Sequence, residues 1–132
     1  MPILHISTNL PAARIDDEFV RRASRKAAEL TELPEAVIQV VVLADQKISF
    51  GGSLEPSAFV SLHHVRAYEE AEIRRLVHSL VAFLEAELQV DGERIFLTFE
   101  AHDPKAVARG RRLVADLIAE MTAAAAAGRP PK

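Results

Sequence analysis

Three consecutive stretches, SAFVSLHHV (57–65), EEAEIRRLVHSLVAFLEAEL (69–88) and IFLTFE (95–100), decide the fold. The first and last are short, rich in β-branched and aromatic residues, and read as strands. Between them Ile73, Leu76, Val77, Leu80, Leu84 and Leu88 recur at helical spacing and hold one face of a helix. Asp91-Gly92 turns the chain from that helix into the last strand. Strand, helix and strand in this order form a βαβ unit, with parallel strands joined by a right-handed crossover.

The residues before it repeat the pattern. Positions 2–7 alternate apolar and polar as a strand does, and Thr8-Asn9-Leu10-Pro11 ends it with a turn. Residues 16–32 read as a helix: Asp16, Asp17 and Glu18 suit the positive end of its macrodipole, and Phe19, Ala23, Ala27 and Leu30 form its stripe. Pro34 stops it, and Ile38–Leu43 is apolar on both faces, as expected of a central strand covered on both sides. A loop punctuated by Gly51-Gly52-Ser53 and Pro56 joins the halves. The expectation is an α/β (α+β) fold in which two βαβ repeats form a four-stranded mixed sheet with two helices on one face. The other face must then meet a further helix or another subunit. His5, Ser7, Ser61, His63 and Thr98 fall on alternate strand positions, a semi-polar set suited to an inter-subunit interior.

Asp103-Pro104 has the residues of a helix start, Asp as N-cap and Pro at the first position. The expectation is therefore a domain over 1–103, an added C-terminal helix over 104–127 and a flexible tail over 128–132. Val107, Val114, Leu117, Ile118 and Met121 lie along one side of that helix, and Gly110 weakens it by about 1 kcal/mol relative to alanine.

Composition narrows the function. With 132 residues and 49% hydrophobic content the chain supports one core, and 16 basic against 19 acidic side chains argue against a nucleic-acid or anionic-membrane partner. The basic residues crowd the C-terminal segment, where Lys105, Arg109, Arg111, Arg112, Arg129 and Lys132 face only Asp116 and Glu120. The absence of cysteine excludes disulfides, thiolate metal sites and a cysteine nucleophile, and fits a reducing compartment. No apolar run reaches the roughly 18 residues of a membrane span and no basic leader opens the chain, so a cytoplasmic location is expected. His5, His63, His64, His78 and His102 lack zinc-type spacing, and neighbouring His63 and His64 point to opposite faces of a strand, so neither a metal nor a cofactor is expected.

Met1-Pro2, Thr8-Asn9-Leu10-Pro11, Asp45-Gln46, Phe50-Gly51-Gly52-Ser53, Glu55-Pro56 and Ser61-Leu62-His63 fall without a gap across about residues 1–103. In these runs the chain resembles the macrophage migration inhibitory factor and D-dopachrome tautomerase branch of the tautomerase superfamily. The resemblance implies a homotrimer with active sites at subunit boundaries. It also implies a keto-enol tautomerase, like phenylpyruvate tautomerase, acting on a small keto or enol compound that can be an aryl one. Pro2 would be its general base once Met1 is removed. Thr98, His63 and the backbone at Val65 would meet substrate oxygens, with Leu33, His64 and Phe96 completing the substrate site.

The chemistry of such a base is general. An α-amino group titrates near about 7.7–8.0, and burial lowers that value by disfavouring the charged form. A neutral ring amine is then a competent proton acceptor, provided that Met1 is gone; acylated by Met1, the Pro2 nitrogen is an amide without useful basicity.

Several positions depart from the family pattern. Leu33 stands where its best-known members place a lysine, so carboxylate substrates should bind less well. Phe96 and Thr98 replace a tyrosine and an asparagine, Val65 replaces an isoleucine, and the aromatic C-terminal wall gives way to the segment from Pro104. Arg66, Arg74 and Lys47 are candidate substitutes for the missing cation. Ser57 and Val60 stand at the positions of a cysteine pair linked to redox activity, and Ala12 at that of a first-loop arginine linked to receptor signalling. The alternative reading is a non-catalytic trimer acting as a binding, structural or cytokine-like module.

Overall fold

A computed structural model describes Met1–Gly128; the expected tail beyond Gly128 lies outside the described residues. In chain order the elements are β1 (Ile3–Thr8), α1 (Asp17–Thr31), β2 (Gln39–Leu43), β3 (Ala58–His64), α2 (Glu70–Leu88) and β4 (Ile95–Ala101), then β5 (Ala108–Arg109), β6 (Arg112–Leu113) and α3 (Val114–Ala126). The first four strands form one sheet in the order β2-β1-β3-β4. β1 pairs parallel with β2, β3 parallel with β4, and the two halves join antiparallel through β1 and β3. This is the mixed sheet of two βαβ repeats that the periodicity predicts.

Local signals place both helices. The Asp16 carboxylate accepts a hydrogen bond from the Phe19 backbone N–H at 2.8 Å, and the Glu72 side chain reaches back to the Glu69 N–H at 3.1 Å. Removing the first cap in Asp16→Ala is expected to lower stability by about 1 kcal/mol, read as a shifted urea midpoint with an unchanged slope. Phe19, Ala23 and Ala27 of α1 and Leu80, Leu84 and Leu88 of α2 bury their stripes against Leu4, Ile6, Val60 and Leu62 of the sheet. Phe19 stacks on Phe83 across the two helices, with ring centroids 6.2 Å apart.

Two expectations are corrected. Ile38–Leu43 was expected to form a central strand, yet β2 lies at the sheet edge, with Val40 and Val42 packed on the core and Leu43 40% exposed. No described helix covers its second face, and Phe59 and Phe96, 44% and 62% exposed, lie on the same uncovered side. The helix expected from Pro104 begins at Val114 instead. Asp103 caps only a single 3-10 turn over Pro104–Ala106, by accepting from the Lys105 N–H at 2.9 Å. The chain then folds back as the β5–β6 hairpin, with Gly110 at φ +62° in its turn. Glycine adopts that conformation without steric cost, and the same residue disfavours a helix interior, so the hairpin wins.

The hairpin closes with the Val114 N–H donating to the Val107 carbonyl at 2.8 Å. Beyond it α3 packs on the Pro104–Ala106 turn and β6, with Val114 buried, Leu117 half-buried and Ile118 and Met121 exposed. None of the described helices is long and apolar enough to cross a membrane.

Candidate functional site

Pro2 is fully buried at the entrance to β1, and its carbonyl accepts the Gln39 N–H at 3.1 Å. The β1–β3 register pairs Ile3 with His63, so the preceding Pro2 lies beside His64 on the side of the sheet that the helices cover. A cleft of about 440 Å³ opens onto Met1 and Pro2. One wall comes from Ala36–Gln39, the loop leading into β2, and the other from Val107–Gly110 and Val114. The C-terminal hairpin thus supplies a wall of the cleft at the N-terminus, which a continuous helix from Pro104 would not have built.

The cleft is largely apolar, and Arg109 is the one charged side chain among its described lining residues. Its hairpin neighbour Arg112 is held by Glu120, whereas Arg109 has no carboxylate partner among the described residues. Burial lowers the pKa of the Met1 amine, which sits beside Pro2 in this cleft.

His64 is buried and its pKa is lowered to about 4, first by burial and then by the positive charges of the terminal amine and Arg66. Its Nδ1 accepts the Val65 N–H at 2.8 Å, which leaves the proton of the neutral ring on Nε2. His64 at neutral pH is therefore an uncharged ring of defined tautomer beside the proline. Tyr68 packs edge-on against His64, with centroids 5.7 Å apart, and its hydroxyl is buried without a hydrogen-bond partner. Burial raises the pKa of that phenol. It borders a second cleft of about 270 Å³ that also holds Arg66, Arg75 and Glu72.

The structure divides the residues singled out from sequence into two groups. Pro2, His64 and Val65 gather at one end of β1 and β3. Phe96 and Thr98 lie on the opposite, uncovered face: Phe96 packs on Phe50 with centroids 5.3 Å apart, and the Thr98 hydroxyl is buried without a partner. His63 shares that face, where its Nδ1 is 2.8 Å from His102 Nε2 and 3.1 Å from the Glu100 carboxylate. Within one protomer these groups cannot act on one substrate. Leu33 is half-buried just past the end of α1, where its N–H donates to the Ala28 carbonyl, and does not line the cleft. Of the candidate cations, Arg66 and Arg74 are paired with Glu72 and Glu70 on the surface, and exposed Lys47 lies away from the cleft. The cation that does line it, Arg109, was hidden inside an expected helix; Gly110 beside it was the available signal.

Comparison with known proteins agrees with this architecture. A sequence model of the family described as macrophage migration inhibitory factor matches residues 1–126, a span that includes all of α3. The rat macrophage migration inhibitory factor is 28% identical over 99 residues, covering 75% of this chain and 86% of the relative. The homologue from Trichuris trichiura is 30% identical over 99 residues, covering 75% and 87%. Among solved structures, the factor from Trichinella spiralis superposes with a TM-score of 0.78 at 25% identity, covering 82% of this chain and 96% of its own. The homologue from Prochlorococcus marinus, at 20% identity and a TM-score of 0.79, covers 85% and 98% and shares the fold. With its two βαβ halves, its buried second-position proline and a family match along nearly its whole length, the chain belongs to the macrophage migration inhibitory factor family of the tautomerase superfamily.

Proposed function

We propose that the protein is a keto-enol tautomerase in which Pro2, freed of Met1, is the general base. The observation that carries this reading is a buried proline at the mouth of an apolar cleft, surroundings that disfavour the charged form of an amine. Its neutral secondary amine would take a proton from the carbon next to a carbonyl. The C–H electron pair becomes the carbon–carbon double bond, and the carbonyl oxygen takes up a proton as it becomes the enol. The Nε2–H of neutral His64 is a donor within the same neighbourhood.

The assembly in this reading is a homotrimer. The uncovered sheet face, with Leu43, Phe59 and Phe96 exposed beside the edge strand β2, is the surface that neighbouring subunits would cover. A neighbour could then bring Phe96 and Thr98 to the cleft that one protomer builds around Pro2. A chain that retains Met1 would instead favour the second reading, a non-catalytic binding module, because its Pro2 nitrogen is an amide.

Arg109 changes the expected substrate preference. The family resemblance, with Leu33 in place of a lysine, implies weak binding of acids, but Leu33 does not line the cleft, and an arginine that does can hold a carboxylate through charge-assisted hydrogen bonds. The substrate class proposed is a small 2-keto acid or its enol, with an aryl or alkyl remainder against Val107 and Val37.

The test follows ketonisation of the phenylpyruvate enol by ultraviolet absorbance, with intact mass reporting the state of Met1. The processed protein is expected to accelerate the reaction. Arg109→Ala is expected to raise KM for the acid about tenfold or more and to leave the esterified analogue nearly unchanged. Equal KM changes for acid and ester would remove Arg109 from carboxylate recognition, and a processed protein with no acceleration would remove the tautomerase reading.

A further inference from the structure

We propose that His63, Glu100 and His102 form a binding site for a divalent transition metal, zinc(II) by preference, on the sheet face opposite the Pro2 cleft. Parallel pairing of β3 with β4 sets His63 beside Glu100, and His102 follows two residues later on the same side. The His102 N–H donates to the His64 carbonyl at 2.7 Å, which carries the ladder one step past β4 and holds His102 in place. Three ligand atoms converge: His63 Nδ1 and His102 Nε2 are 2.8 Å apart, and one Glu100 carboxylate oxygen is 3.1 Å from the first and 3.9 Å from the second.

These separations suit a small cation. Ligands about 2.0–2.1 Å from a tetrahedral zinc lie about 3.3–3.4 Å from one another, inside the observed range. Two imidazoles and one carboxylate form a borderline nitrogen and oxygen set that zinc accepts with water as its fourth ligand. The recorded ion pairs of Glu100 are with these two rings, so among the described residues no arginine or lysine competes for it. The rings are stacked 17° from parallel, with centroids 5.1 Å apart. Metal binding would replace the contact between the two rings, and His102 is exposed with a χ2 torsion that is soft for histidine.

A hydrogen-bonded, stacked histidine pair accepting no metal is the competing explanation, and it predicts different solution behaviour. The assembled protein is stripped with a chelator, then titrated with zinc(II) against a chromophoric competitor and separately with cobalt(II). The expected result is one equivalent per chain with a micromolar or tighter Kd, and an intense visible cobalt spectrum of tetrahedral type. Glu100→Gln and His102→Ala alter exposed side chains outside the core, and each is expected to weaken zinc binding at least tenfold. His63→Ala should do the same, whereas His78→Ala on the outer side of α2 should change nothing. No stoichiometric binding by the parent protein, or binding that survives all three substitutions, would overturn the proposal. The parent titration decides the matter even if a variant misfolds, and Pro2 plays no part in either readout.

Discussion

Processed Pro2→Gly is expected to ketonise the phenylpyruvate enol at least about a hundredfold more slowly than the processed parent, within the span a positioned general base contributes. The variant keeps a terminal amine, so the loss reports the quality of the base and its placement. Pro2 is buried with Met1 in place and lines the cleft, and its ring restricts where the nitrogen can point. Glycine leaves a primary amine with free rotation and better hydration, which stabilises its charged form and spreads its position. A second arm uses the parent alone. Protein that retains Met1, separated and identified by intact mass, is expected to show only the background rate, since its proline nitrogen is an amide. Equal rates for the Met1-retaining, processed and Pro2→Gly forms would take the nitrogen out of the mechanism.

The second large effect concerns acid stability. His64 titrates at about 4 in the folded chain, against about 6.5 for an unperturbed histidine. Between those values the unfolded state binds the extra proton, so stability rises with pH through the window. The contribution is fully present above about pH 6.5 and is lost as pH falls towards 4, and the shift corresponds to about 3 kcal/mol. Urea unfolding at a fixed protein concentration from pH 4 to 7.5 should show this loss in the parent and a much flatter profile in His64→Gln. Fixed concentration matters because the proposed trimer would add its own, concentration-dependent stabilisation. An unchanged acid limb in His64→Gln would assign the proton uptake to another group.

Both effects depend on a site only partly legible in the sequence. The four long strands and the first two helices could be read directly, because a stripe such as Leu76, Leu80, Leu84 and Leu88 states its own period and Asp16 marks its own cap. Pro2 was identified through the resemblance of the Met-Pro start and the Gly-Gly-Ser and Glu-Pro block. Its enclosure could not be read, because the wall at Val107–Gly110 lies more than a hundred residues away. The same distance hid Arg109. The helix expected from Pro104 failed at Gly110, where a preference for positive φ outweighed the apolar spacing on either side. The apolar run of β2 was read as a doubly covered strand, and it proved to be an edge strand of the sheet.

What the residues determined alone is therefore whatever their nearest neighbours enforce: two βαβ repeats, the caps that start α1 and α2, and a chain without thiol chemistry. Which strand lies at the edge, which hairpin walls the proline, and which carboxylate meets His63 were decided by the tertiary structure. Periodicity and capping act over a turn or two of chain, whereas strand order and register arise when distant segments bury their apolar faces together. In this protein every proposed chemical feature, the Pro2–Arg109 cleft and the His63–Glu100–His102 cluster alike, sits where such distant segments meet.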